Sequence, residues 1–141
     1  MGLLDRVSIL VRANLNDLIE RAEDPEKVVK QLILDMNNQL IQVRTHVATA
    51  IADERKLQRL WEQNETRAND WQLRAEKAVT AGNDDLAKQC LSRALTYREI
   101  ADGFRHQHKT QEGQAEKLRE AFHQLEAKIQ AAEARKDLLI A

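Results

Sequence analysis

Aromatic side chains are nearly missing from this chain of 141 residues, which holds two Trp, two Phe and one Tyr. A globular core of that length ordinarily uses more of them and more turn residues, and here there are only one proline and four glycines. The single cysteine, Cys90, excludes an intramolecular disulfide and gives no hint of an oxidising compartment. No run of about 18 uncharged apolar residues occurs, so no segment is suited to span a bilayer. Asp5, Arg6 and Arg12 interrupt any signal-peptide core, and Arg6 stands where a myristoylation motif needs Ser or Thr. An excess of one charge is also lacking. The net charge is −1, and acids equal bases in number over 24–80 and again over 81–141. Without a basic stripe, nucleic acid is not an expected partner. These absences suit a soluble or peripheral cytosolic protein.

Catalytic machinery is missing as well. Gly2, Gly82, Gly103 and Gly113 form no phosphate-binding cluster. His46, His106, His108 and His123 lack metal-ligand spacing, and His106 and His108, two apart on a helix, point to different faces. Cys90 falls at a core position with no His base beside it in sequence. No enzyme activity, metal or cofactor is expected.

What the chain does contain is helix-forming residues, 32% of the chain being charged. Asp24-Pro25-Glu26 reads as an N-cap, a first-turn proline and a first-turn acid. Gly82 suits a left-handed C-terminal position, with Asp84 capping the next helix. The expected organisation is all-α. An amphipathic helix spans 1–23, hairpin helix one 24–81, a turn 82–85 and hairpin helix two 86–141.

Both long helices carry an apolar repeat of seven. In the first, the seam runs from Val29, Ile33, Met36, Leu40 and Val43 through Trp61 to Ala78, broken only by Glu54 and Asn64. In the second it runs from Cys90 through Phe104, Leu118, Phe122 and Leu125 to Leu139, broken by His108, Gln111 and Lys136. Folding about Gly82 makes an antiparallel coiled-coil hairpin in which Trp61 meets Phe104 and Val43 meets Phe122. The exceptions converge too, giving an expected buried polar layer of Glu54, His108 and Gln111. Gly103 and Gly113 flank that layer, where softness or a plain register-setting role are the two readings.

The first 22 residues gather Leu3, Leu4, Val7, Leu10, Val11, Leu15 and Leu18 on one half of a helical wheel. Arg6 and Arg12 lie on the other half. One reading is insertion at a bilayer interface, with Arg6 and Arg12 giving modest attraction to anionic lipid. Burial of some six or seven Leu and Val side chains, about 1.5–3 kcal/mol each, would dominate, so binding should follow packing defects and curvature and survive moderate salt. The other reading is that this helix folds back on the hairpin or on a neighbouring subunit. Physics alone leaves the two open.

The stretches MGLLDRV at Met1–Val7, VRANLNDLIERAEDPEKVVKQLILDM at Val11–Met36, WQLRAEKAVTAGNDDLAKQCLSRALTY at Trp71–Tyr97 and LEAKI at Leu125–Ile129 resemble the phage shock protein A family. The resemblance includes its branch of vesicle-inducing proteins in plastids, to which the first stretch is closer. It implies an ESCRT-III-like, peripheral membrane protein of the stress response. Its amphipathic helix would lie on lipid, and its hairpins would form a homo-oligomeric ring, rod or filament that remodels or protects stressed membranes. The implied location is the cytoplasmic face of the inner membrane, or the thylakoid. An alternative implied by enterobacterial relatives is a soluble regulator that binds an AAA+ transcription activator through the hairpin. Plastid-type relatives are credited with weak nucleotide binding through an Arg and a Glu matching Arg44 and Glu126, an activity not carried over here. In this register those two residues flank the seam, close enough to pair. Family chains usually continue well past position 141, so a shortened piece or a naturally short member is expected.

Overall fold

The computed structural model describes residues 2–141. Four helices follow in order, α1 (Leu3–Arg12), α2 (Leu15–Arg21), α3 (Pro25–Thr80) and α4 (Asp84–Ile140), and no strand occurs among the described residues. The long helices α3 and α4 pack as an antiparallel hairpin, so the fold is an all-α coiled-coil hairpin.

Local chemistry accounts for the helix ends. The Asp24 carboxylate accepts the Lys27 N–H at 3.2 Å, and Pro25 occupies the first position of α3. At the far end Gly82 takes φ +76°, a conformation that strains any side chain. The Asn83 N–H then reaches back to the Ala78 carbonyl at 2.9 Å and that of Gly82 to Val79 at 3.0 Å, closing α3 as a Schellman turn. The α4 cap is Asn83 rather than Asp84, since its side-chain oxygen accepts the Leu86 N–H at 3.1 Å. The second helix therefore begins at Asp84, and the turn is shorter than 82–85.

The amphipathic segment is two helices rather than one. Ala13 is extended (φ −63°, ψ 139°), and the Asn14 side chain accepts the Asp17 N–H at 3.1 Å to start α2 afresh. A short polar side chain that bonds its own backbone competes with helix continuation, and here it succeeds.

The chain forms two compact units. One comprises the residues up to Thr49 with Gln114–Ala141. Its core joins Val7, Leu15 and Ile19 of the short helices to Val29, Met36 and Val43 of α3 and Ala121, Leu125, Ile129 and Ala132 of α4. Ile33, Leu40, Leu118 and Phe122 are half-buried around it.

The other unit, Ala50–Gly113, has a different interior. Its buried apolar residues are Cys90 and alanines, among them Ala68, Ala75, Ala94 and Ala101. Small seam residues let two helix backbones lie close, and the large rings of Trp61, Trp71, Tyr97 and Phe104 are half-buried beside them. Trp71 has the guanidinium of Arg74, on its own helix, at 4.4 Å and that of Arg93, across the hairpin on α4, at 4.9 Å from its ring centre, a cation–π arrangement.

Gly103 and Gly113 both lie inside α4, and a Cβ at either would meet nothing within 4 Å. Each therefore adds backbone freedom to the unfolded chain without serving a close contact. Gly103→Ala and Gly113→Ala should each stabilise the hairpin by about 0.5–1 kcal/mol, read as a higher urea midpoint. A fall in the midpoint would mean that a glycine is needed there.

Candidate functional site

The N-terminal segment lies against the hairpin within its own unit. Val7 and Ile19 are each 1% exposed and Leu15 is buried, covered by α3 and α4. Leu3, Leu10 and Val11 are half-buried against the same core. Arg6 and Arg12 face solvent, although an Arg6 nitrogen stands 3.5 Å from the Gln42 side-chain oxygen. Three apolar side chains stay uncovered: Leu4 is 39% exposed, Leu18 50% and Ile9 55%. Of these, Ile9 lies outside the apolar arc read from a single continuous helix. The break at Ala13-Asn14 lets α1 and α2 each turn its own face inward.

Polar contacts reinforce the seat. The Lys128 ammonium of α4 donates to the carbonyls of Val11, at 2.9 Å, and Ala13, at 2.6 Å. The last carbonyls of a helix lack intrahelical donors and sit at the negative end of its dipole, so a cation there is doubly favoured. Arg135 of α4 meets the Glu20 carboxylate of α2 at 3.1 Å, with the Arg135 side chain two-thirds covered. Between α1 and α4 a groove of about 530 Å³ is lined by Leu4, Val7, Val11, Lys117, Ala121 and Gln124, so α1 is not packed flush along its length. Sequence reasoning missed Lys128, because nothing marks a lysine as the partner of carbonyls more than a hundred positions away.

Three of the seam exceptions, Glu54, His108 and Gln111, belong to the Ala50–Gly113 unit together with Asn64, which bonds the Leu60 carbonyl of its own helix, whereas Lys136 lies in the other unit. The His108 imidazole stands 3.5 Å from a Glu54 carboxylate oxygen, and the two side chains are 12% and 20% exposed. Gln111 donates to the Ala50 carbonyl at 3.5 Å. The half-buried Trp61 lies beside His108, with ring centres 5.8 Å apart. Arg44 and Glu126 take separate partners: Arg44 lies over the Phe122 ring at 5.7 Å, and Glu126 meets His123 at 3.3 Å.

No helix among the described residues is long and apolar enough to cross a membrane. The arrangement is a self-covered amphipathic segment held to a hairpin by a small apolar core and a lysine clamp.

Comparison with known proteins adds to this geometry. A family model described as PspA/IM30 matches residues 2–141. The chain is 41% identical over 139 residues to the membrane-associated protein Vipp1 of Synechocystis sp., an alignment covering 99% of this chain and 52% of that protein. It is 39% identical over 141 residues to the phage shock protein A homolog of Deinococcus radiodurans, covering 100% of this chain and 63% of the other. Against the chloroplastic membrane-associated protein VIPP1 of Arabidopsis thaliana the identity is 35%, covering 100% and 43%. The chain thus spans about half the length of the curated relatives it matches.

Proposed function

The chain belongs to the PspA/IM30 family, and from that premise we propose that it is a peripheral membrane protein whose α1–α2 segment exchanges between the hairpin and a bilayer surface. One observation carries this reading. The segment is amphipathic and docked, yet it leaves Leu4, Ile9 and Leu18 exposed while docked. Released from α3 and α4, it would also free Val7, Leu15 and Ile19 for the hydrocarbon boundary, as interfacial helices require. Relatives named membrane-associated support the same destination. The reading includes self-assembly of the hairpins on the membrane and remodelling or protection of stressed bilayers from the cytoplasmic face. Leu91, Leu95 and Ile100, exposed along α4, are available for lateral packing, and the balanced surface charge does not oppose it.

Docking and insertion compete for the same residues, so whatever weakens docking should raise apparent membrane affinity. Lys128→Met keeps the aliphatic stem and removes the donor to two carbonyls. Hydrogen bonds from a charged group contribute about 1.5–3 kcal/mol, so the ratio of docked to released segment should fall by tenfold or more. In vesicle flotation the variant should bind at about a tenth of the lipid that the parent chain needs. Equal or weaker binding by the variant would show that docking does not restrain the segment.

A second reading, a hairpin that docks on an AAA+ transcription activator, draws on the half-buried Trp61 indole as an anchor. It requires no release of α1, so indifference to lipid together with capture by such a domain would favour it.

A further inference from the structure

His108 and Glu112 stand four apart on α4, so their side chains rise from one face a turn apart. Helix α3 sets Glu54 against them. The ligand-bearing atoms of the three residues lie within 4.8 Å of one another. Glu54 and His108 are half-buried in the seam, and Glu112 is exposed at its edge. This graded burial suits a cation that arrives hydrated at Glu112 and exchanges water for protein donors as it moves inward.

The imidazole carries the second observation. His108 Nε2 is buried and makes no hydrogen bond, the nearest carboxylate oxygen, that of Glu54, standing 3.5 Å away. A buried ring nitrogen without a partner is rare in a folded protein and calls for a physical reason. Trp61, inclined at 44° to the imidazole with 5.8 Å between ring centres, restricts how the imidazole can turn. Gln111, the third polar residue of the seam layer, is engaged with the Ala50 carbonyl instead.

The geometry points to a binding site for a divalent first-row transition-metal ion of the Zn²⁺ type, held by His108 Nε2 and the carboxylates of Glu54 and Glu112, with water completing the coordination. One imidazole nitrogen and two carboxylate oxygens form a donor set that Zn²⁺ accepts, whereas Ca²⁺ and Mg²⁺ call for oxygen throughout. Donors about 2.1 Å from a tetrahedral centre stand about 3.4 Å apart. The three groups must therefore draw in by little more than an ångström, within reach of Glu rotamers. Such an ion ties α3 to α4 at the layer where apolar seam residues are interrupted. Because the site exists only in the folded hairpin, the ion would stabilise it. The inference concerns the Ala50–Gly113 unit alone and does not depend on the membrane reading.

The test is Zn²⁺ titration of the 141-residue chain in competition with a chromophoric chelator, repeated with Co²⁺ for its visible d–d bands. One ion per chain at micromolar affinity or tighter is expected, with a higher melting temperature in its presence. His108→Ala and Glu112→Gln should each weaken binding about tenfold or more, while His106→Ala leaves it unchanged. Glu112 is exposed, so its substitution leaves the fold intact and separates loss of a ligand from loss of structure. Binding that is weak and equal in the parent and in Glu112→Gln would be adventitious surface chelation and would overturn the inference. So would tight binding that survives both ligand substitutions.

Discussion

A chain lacking residues 1–22 should remain at the bottom of a flotation gradient in which the full 141 residues rise with small vesicles. The size of the effect follows from an exchange rather than from a sum. Read from the sequence, about six or seven Leu and Val side chains, at roughly 1.5–3 kcal/mol each, are available to drive insertion. The fold changes that account. Val7, Leu15 and Ile19 are already covered, so moving them from hairpin to bilayer gains little, and it uncovers Leu125 and Ile129 of α4. The main gain comes from the side chains left partly exposed while docked, Leu4, Ile9 and Leu18, and each has about half or less of its surface still to bury. Net affinity is therefore modest. It should favour curved vesicles, whose packing defects accept a few side chains at low cost, and it should persist at moderate salt because Arg6 and Arg12 contribute little. Complete loss on deletion is expected all the same, since the other exposed Leu and Ile side chains, such as Leu34, Ile41 and Leu95, stand on the two long helices whose apolar seam is already paired in the hairpin. Flotation of the shortened chain would move the membrane-binding surface to the hairpin.

Leu125→Ala should be the most damaging single truncation in the unit that holds the short helices. Leu125 is fully buried, on α4, within the cluster that also contains Val7 and Ile19. Removing three carbons at such a site costs about 2–5 kcal/mol, the spread depending on how far the neighbours relax into the space. Leu91→Ala, where the side chain is 44% exposed, should cost less than about 1 kcal/mol. Urea unfolding followed by circular dichroism measures both. Similar midpoints for the two would show that this core is not the source of stability. The Ala50–Gly113 unit offers no comparable position, because its buried seam is made largely of alanine and has no large side chain to remove.

The seam could be read in advance because a seven-residue period is a local property. Each seam residue named from the repeat is covered or half-covered, save Leu139 in the last turn of α4, which is 37% exposed. The cap at Asp24 and the left-handed Gly82 were legible for the same reason, since each acts on neighbours three or five residues away. Asn83 was passed over as a cap because Asp84, beside it, is equally suited by type, and only the backbone path after Gly82 decides between them. The division at Ala13-Asn14 was hidden by the periodicity itself. Leucine and valine continue across the break, and a single Asn–Asp17 backbone bond outweighs them only when both halves gain a core to face. The heptad repeat places Glu54 beside His108, but Glu112 falls just outside the seam positions, so the repeat gives it no part in that layer.

By itself the sequence determined an all-α hairpin, its seam, its reversal at Gly82 and an amphipathic beginning, because helix propensity, capping and heptad spacing act over a few residues and need no partner. Only the tertiary structure decided where that beginning rests, that Lys128 holds it, and that Glu112 joins Glu54 and His108. Those outcomes depend on which side chains meet across long stretches of chain, and an apolar face specifies that it must be covered without specifying by what.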